Sequence, residues 1–442
     1  MDSFIQMTGS IKNMEVLLAI SIALTAGLLL SRFVKPLKIP AVTGYLIAGI
    51  LIGPYCLGRL NIAGFGFTSM AHVENLKIIS EVALGFIAFA IGNEFRVSQL
   101  KQTGKTATVI AIFQALVATI LVDAALIGLH FMMPDKVSLP VAIVLGAIAT
   151  ATAPAATLMV VKQYKAKGKL TDLLLPIVAL DDAVGLIVFA VSFGIARALQ
   201  NGAIDMKSVV LEPLLEVVLS LVLGFVLGVV FSLIEKYFKS NSKRLSLSIT
   251  FVLMTVSLSM LEFKVGGVHI GFSSLLVCMM LGTVFCNMCD FSEEIMEKTD
   301  KWTAPLYILF FVLSGAELEL GVFTDIAIVG IGVVYILFRS AGKISGAAIS
   351  AKMMKCDPKI VKYLGITLLP QAGVALGMSL TAQSLGEDGN IIRNIALFAV
   401  LIYELVGPLM TKIALTKSGD IVPKAQAATA ASASEEDEDD DE

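Results

Sequence analysis

The sequence is poor in charge. Asp, Glu, Lys and Arg together make up 16% of its 442 residues, against about 25% in soluble domains. With 57% of the residues apolar, that shortage excludes a soluble globular protein. Histidine is scarce as well. His72, His130 and His269 are the only three and fall near the edges of apolar stretches, so no nucleophile–base constellation of an enzyme is formed. The five cysteines (Cys56, Cys278, Cys286, Cys289 and Cys356) lack the spacing of a disulfide framework, and Cys286-x-x-Cys289 is read as incidental. No G-x-x-x-x-G-K-[ST] loop occurs, which argues against ATP-driven transport. No basic segment precedes the first apolar stretch, so a cleaved signal peptide is not expected. Neither an internal repeat of roughly 20–50 residues nor an appended soluble domain is visible.

What the sequence has in abundance is apolar segments of membrane length. A bilayer crossing needs about 20 mostly apolar residues. Thirteen stretches qualify: 14–31, 39–55, 76–94, 106–131, 138–161, 171–197, 211–235, 244–262, 267–287, 303–317, 324–350, 360–385 and 391–414. The stretch 303–317 is short and is expected to extend at one end. Loop Lys and Arg residues orient the set. With the N-terminus outside, 23 basic residues fall on the cytoplasmic side and 8 on the outer side, leaving Arg339 and Lys343 inside a stretch. A missed or invented span would invert every later loop and spoil that bias. The expectation is thirteen crossings of the plasma membrane, the N-terminus outside and the C-terminus in the cytoplasm. The net charge of −3 conceals an acidic end: Glu435 to Glu442 are all acidic, and without them the balance is +5. Residues 418–442 are therefore read as a disordered cytoplasmic tail.

Three places break the rules of membrane sequence, where ionisable groups are costly and usually functional. In the sixth stretch, Asp181 and Asp182 are adjacent, with Pro176 beneath them. They lie eleven residues from the cytoplasmic end, roughly 15 Å deep and near the midplane. Two neighbouring carboxylates cannot both remain charged there without a partner. They must hold protons, bind a cation or meet a basic group, which is the chemistry of a proton/cation exchange site. In the eleventh stretch, Arg339 and Lys343 are four residues apart and share a helix face. A buried lysine gives up its proton more readily than arginine, so Lys343 reads as a carrier and Arg339 as a fixed charge in a structural ion pair. Finally, the fifth and twelfth stretches have helix-breaking centres, Ala149-Thr-Ala-Thr-Ala-Pro154 and Leu369-Pro-Gln-Ala-Gly373. Being seven spans apart, they run in opposite directions, as inverted repeats with a shared midplane site require. Free backbone groups at such breaks are tolerated only in a cavity or in protein, and Thr150, Thr152 and Gln371 would add side-chain oxygens. Glu81 is a weaker candidate for an entry path. Glu404 is one for balancing Arg339 or Lys343, and Asp123 lies toward the outer end of its stretch.

At these residues the chain resembles the monovalent cation:proton antiporter-2 family, close to its NapA-like sodium/proton exchangers. The resemblance covers nearly all of 14–415. Its motifs are Ile39-Pro-Ala-Val-Thr-Gly-Tyr-Leu-Ile-Ala-Gly-Ile-Leu-Ile-Gly-Pro54, Leu180-Asp-Asp-Ala183, Lys343-x-x-Gly346 and Pro370-Gln-Ala-Gly373. The Asp-Asp pair is the specific element, since Kef-type potassium exporters usually show Gln-Asp and electroneutral exchangers Asn-Asp. The resemblance implies an all-α membrane protein of 13 transmembrane helices, with inverted repeats and two broken crossing helices. It implies Na⁺ (or Li⁺) bound at Asp182, Asp181 paired with Lys343, and Thr152 at the broken-helix threonine. Many relatives carry Asp where Ala153 stands, so the coordination shell differs here. The implied transmembrane domain is 1–417, with a core from 106–197 and 324–414, a scaffold from 14–94 and 244–317 that forms a homodimer, and a linker helix at 211–235. No cofactor is expected; Na⁺ or Li⁺ and H⁺ are the cargo of an electrogenic antiporter serving pH homeostasis. The alternatives are potassium/proton exchange on the same machinery, a cation efflux channel, and sodium-coupled symport of an organic anion, which the negative Asp pair disfavours.

Overall fold

The computed structural model describes residues 2–37, 39–60, 62, 66–93, 95–134, 136–201, 212–265, 268–318 and 325–421. Of the tail expected at 418–442, residues 422–442 lie outside the described residues. The start of that range is packed instead: Ser418 ends the last helix, and buried Asp420 accepts from the Thr171 amide and hydroxyl, each at 2.8 Å. In chain order the helices are α1 (Asp2–Val34), α2 (Ala41–Ile52), α3 (Met70–Glu74), α4 (Lys77–Asn93), α5 (Val97–Met132), α6 (Leu139–Ile148), α7 (Pro154–Tyr164) and α8 (Lys169–Asn201). There follow α9 (Glu212–Glu235), α10 (Asn241–Ser259), α11 (Ser274–Met288), α12 (Ser292–Ala316), α13 (Ile326–Met353), α14 (Pro358–Thr367), α15 (Gly373–Ala382) and α16 (Glu387–Ser418). Among the described residues, seven helices are long and apolar enough to cross a membrane: α1, α2 with the turn after it, α5, α8, α9, α13 and α16.

Each predicted stretch contains helix; two of them need comment. The stretch 303–317 extends backwards to Ser292 as part of α12. Within the stretch 267–287, Val268–Ile270 is a strand and not helix. A short antiparallel hairpin pairs β1 (Phe263–Val265) with β2 (Val268–Ile270), so the chain is not purely helical. Helix α11 starts only at Ser274, after Ser273 caps it by accepting a hydrogen bond from the Leu276 amide.

Both predicted helix breaks are present, and proline is the physical reason. Helices α6 and α7 are separated by 149–153, and Pro154, lacking an N–H, opens α7 at the position where none is needed. Helices α14 and α15 are separated by 368–372, around Pro370. Each half has 10 or 11 residues, about 15 Å of rise, so two halves end to end match one bilayer crossing. The first half of each pair is capped by a side chain: Ser138 of α6 accepts from the Val141 amide at 3.2 Å and Asp357 of α14 from the Lys359 amide at 2.9 Å.

The helices sort into two groups by their packing. Helices α5, α6, α8, α13, α14, α15 and α16 form one, and α1, α2, α4, α9, α10, α11 and α12 the other. Inside each group, glycine lets backbones touch. A Cβ at Gly342 would lie 2.5 Å from the Ala118 Cα, and one at Gly346 would lie 2.8 Å from the Gln114 Cα. Helix α13 is thereby pressed onto α5 on both sides of Lys343. In the second group, Gly49 of α2 meets the Val312 carbonyl of α12 in the same way. Helix α7 belongs to neither group alone, packing on α16 and α8 on one side and on α4 and α2 on the other.

Candidate functional site

The two breaks meet each other. The Ala153 amide donates to the Pro370 carbonyl at 2.8 Å, so the interrupted segments cross in direct backbone contact. The C-terminal ends of α6 and α14 leave carbonyl oxygens free of intrahelical partners, and their partial negative charge draws cations. Arg339 meets three of them: Nε donates to the Ala149 oxygen at 3.1 Å, Nη2 to the Ala151 oxygen at 2.6 Å and Nη1 to the Leu369 oxygen at 2.8 Å. Its guanidinium also lies 4.3 Å from the centre of the Tyr403 ring. One fully buried arginine thus ties both breaks together. The ion pair expected for Arg339 is not formed: its partners are carbonyl oxygens, because the helix ends reach it before any carboxylate does.

Lys343 is fully buried, one turn from Arg339. Its Nζ donates to the Thr150 carbonyl at 2.6 Å, to the Thr152 hydroxyl at 2.9 Å and to Asp181 Oδ2 at 2.9 Å. These use all three N–H bonds of an ammonium, and no snorkelling to the headgroups occurs. Asp181 Oδ2 also accepts from the Thr152 hydroxyl at 2.6 Å, while Oδ1 accepts a short hydrogen bond from Gln114 Nε2. Thr152 therefore bridges acid and base, whereas Thr150 contributes its carbonyl and turns its own hydroxyl to the Ala147 oxygen at 2.7 Å. Gln371 gives its amide to the Ile148 carbonyl at 2.9 Å and to the Tyr335 hydroxyl at 3.0 Å, so it pairs with the opposite break.

Asp182 is the exception in this network. It is 2% exposed, yet neither carboxyl oxygen has a hydrogen-bond partner among the described residues. Asp181 has its acceptor capacity committed; that of Asp182 remains for something else.

A cavity of about 930 Å³ lies between the two helix groups. Its walls include Leu158 and Lys162 of α7, Thr171 and Leu175 of α8, and Tyr45 of α2 and Asp300 of α12. Its wall on α8 ends at Leu175, seven residues and about 10 Å of rise before Asp182 on the same helix face, on the side of the basic loop 162–169.

The model of the family described as "Sodium/hydrogen exchanger, transmembrane" matches residues 20–417. The chain belongs to this family. It is a family of membrane transporters, not of enzymes. The exchanger is 25% identical to Na(+)/H(+) antiporter NhaS4 of Synechocystis over 410 residues, 90% of this chain and 96% of that one. It is 24% identical to Cation/H(+) antiporter 19 of Arabidopsis thaliana over 406 residues, 88% of this chain and 47% of that one, and so spans about half of the plant protein. Its fold matches the sodium proton antiporter MjNhaP1 of Methanocaldococcus jannaschii with a TM-score of 0.63 at 20% identity, covering 91% of this chain and 95% of that one.

Two weaker candidates lie apart from the buried charges. Glu404 does not balance Arg339 or Lys343. Its Oε1 accepts from Ser314 of α12 at 3.2 Å, because its helix turns it toward the second group while Tyr403, the preceding residue, faces Arg339. Glu81 is half-buried and sits with Lys77 and Glu74 around Glu317, away from the Asp pair. Three partners escaped sequence reading. Gln114 is a polar residue in mid-span, and that is the available signal. Tyr335 and Tyr403 carry no such mark, since a tyrosine in an apolar run is unremarkable.

Proposed function

We propose that this exchanger is a sodium (or lithium)/proton antiporter of the plasma membrane, with Asp182 as the group for which cation and proton compete. The observation that carries the reading is a buried carboxyl with both oxygens unpartnered beside a carboxyl committed to a lysine. A carboxylate in such a place is too costly to leave bare, so it holds either a proton or a cation. Exchanging one for the other is the coupling step.

In the cycle proposed, Asp182 facing outward takes a proton while protonated Lys343 pairs with Asp181. On the cytoplasmic side Na⁺ displaces the proton and loosens the Asp181–Lys343 pair, with Lys343 giving up a second proton. The group holding the Asp pair then moves against the other group and carries the occupied site across. Two protons in for one sodium out would transfer one net charge, worth about 2.3 kcal/mol per 100 mV. Thirteen crossings with the N-terminus outside, the split into a mobile core (106–197 and 324–414) and a scaffold (14–94 and 244–317), the linker at 211–235 and assembly as a homodimer complete the reading. The thirteen are the eleven longer helices and the two broken pairs α6/α7 and α14/α15. The comparison with Na(+)/H(+) antiporter NhaS4 over nearly its whole length supports sodium as the cargo.

Purified protein in liposomes with an internal acid load and a pH-sensitive dye tests it. A Na⁺ pulse is expected to alkalinise the lumen within seconds, and K⁺ at equal concentration to leave it acid. A response to K⁺ in preference to Na⁺ would make it a potassium/proton exchanger instead. Cation flux with an unchanged dye signal would make it a channel.

A further inference from the structure

Helix α7 has the ion site at one end and something quite different at the other. Its first residues adjoin Thr152 and the contact between Ala153 and Pro370. In its last turn, Lys162 Nζ lies 2.5 Å from Asp300 Oδ1 of α12. The next residue, Gln163, accepts through Oε1 from the Ala41 amide at 2.8 Å, where α2 begins. Both contacts leave α7 for the second helix group, and all four residues line the cavity between the two groups. Neither is forced by burial: the Lys162 and Asp300 side chains are 24% and 33% exposed, so water could replace the pair at little cost.

We propose that Lys162–Asp300 and Gln163–Ala41 form a strut across the cytoplasmic cleft that sets its width and holds the site open to the cytoplasm. The proposal rests on the antiport reading above. Helix α7 is 11 residues long, a stiff rod of about 16 Å, so its two ends cannot move independently. A displacement that carries the Asp pair away from the cytoplasm pulls Lys162 and Gln163 off α12 and α2. Reciprocally, the strut adds stability to the cytoplasm-open state alone, and a contact made in only one of two states shifts the balance between them. The strut is therefore a positioning device: it touches no transported ion and acts through α7.

Two features separate this role from mere charge lining of a cation path. If Lys162 and Asp300 acted only by repelling and attracting Na⁺, Lys162→Met would lower the half-saturating cytoplasmic Na⁺ concentration and Asp300→Asn would raise it. A strut gives the same direction for both. Each substitution is expected to raise that concentration about two- to fivefold, the range of a partly exposed ion pair, with the double substitution no worse than either single one. The second test is a bridge. Lys162→Cys with Asp300→Cys, joined by a short bifunctional methanethiosulfonate, is expected to stop exchange in liposomes and to recover it on addition of dithiothreitol, while each single cysteine treated alike keeps exchanging. Opposite shifts in the two single variants, or undiminished exchange by the bridged protein, would overturn the strut. Absence of exchange in the unmodified protein with every monovalent cation would instead overturn the antiport reading.

Discussion

Asp182→Asn is expected to abolish cation-driven proton movement, lowering the rate about a hundredfold or more, because a cation at membrane depth loses its compensating charge. The substitution keeps the shape of the side chain, so the fold should persist and the loss should be one of coupling. Among the described residues no side-chain hydrogen bond depends on Asp182: neither of its oxygens has a partner. The asparagine variant should therefore reach the membrane in normal amount and melt within a degree or two of the parent. Asp181→Asn should behave differently. Asp181 receives Lys343, Thr152 and Gln114, and its loss leaves a buried ammonium held by one carbonyl and one hydroxyl. A fall in stability is expected there, with part of the exchange retained. Thermal melting in detergent and liposome exchange, measured on both variants, check the contrast.

Arg339→Met is expected to be the most destabilising single change, costing about 3–6 kcal/mol through three buried carbonyls left without donors. Methionine fills a similar volume, so the effect isolates the hydrogen bonds from packing. The three carbonyls belong to Ala149, Ala151 and Leu369, two on one break and one on the other. Their release should free both crossing segments at once. Lysine should rescue only in part, since one ammonium cannot reproduce the fork of a guanidinium. The measurement is the yield of folded protein and its melting temperature beside those of Lys343→Met. The latter leaves Asp181 unpaired but keeps the Arg339 clamp, and should fold better.

Much of this site could be read from the chain because membranes make polarity conspicuous. Asp181, Asp182, Arg339 and Lys343 stand out in apolar stretches, and Pro154 and Pro370 mark breaks that no bilayer tolerates bare. The match between two breaks seven spans apart then brings distant segments together. What the chain does not disclose is which helix lies opposite which. The spacing of Arg339 and Lys343 places both on one face of α13, but the partners that face meets depend on how α6 and α14 end. Arg339 consequently pairs with carbonyls where a carboxylate is the simpler guess. Glu404 illustrates the converse. One residue on from Tyr403, it points away from Arg339 toward Ser314, a turn of about 100° that periodicity supplies only once a neighbour is known. Asp123 lies toward the outer end of its stretch, and there it is half-buried where Gly146 of α6 has no side chain, a partner that its sequence position does not name. The hairpin at 263–270 escapes for a simpler reason: apolar runs of that length are compatible with either strand or helix.

Competition between cation and proton for one carboxyl is measured most directly by titrating Na⁺ into the purified protein in a calorimeter, in buffers of different ionisation enthalpy at one pH. Binding is expected to release about one proton or more per Na⁺, seen as a heat that scales with the buffer, and Asp182→Asn is expected to remove both the binding and the release. Sodium binding with a heat independent of the buffer, or undiminished proton release in the asparagine variant, would contradict it.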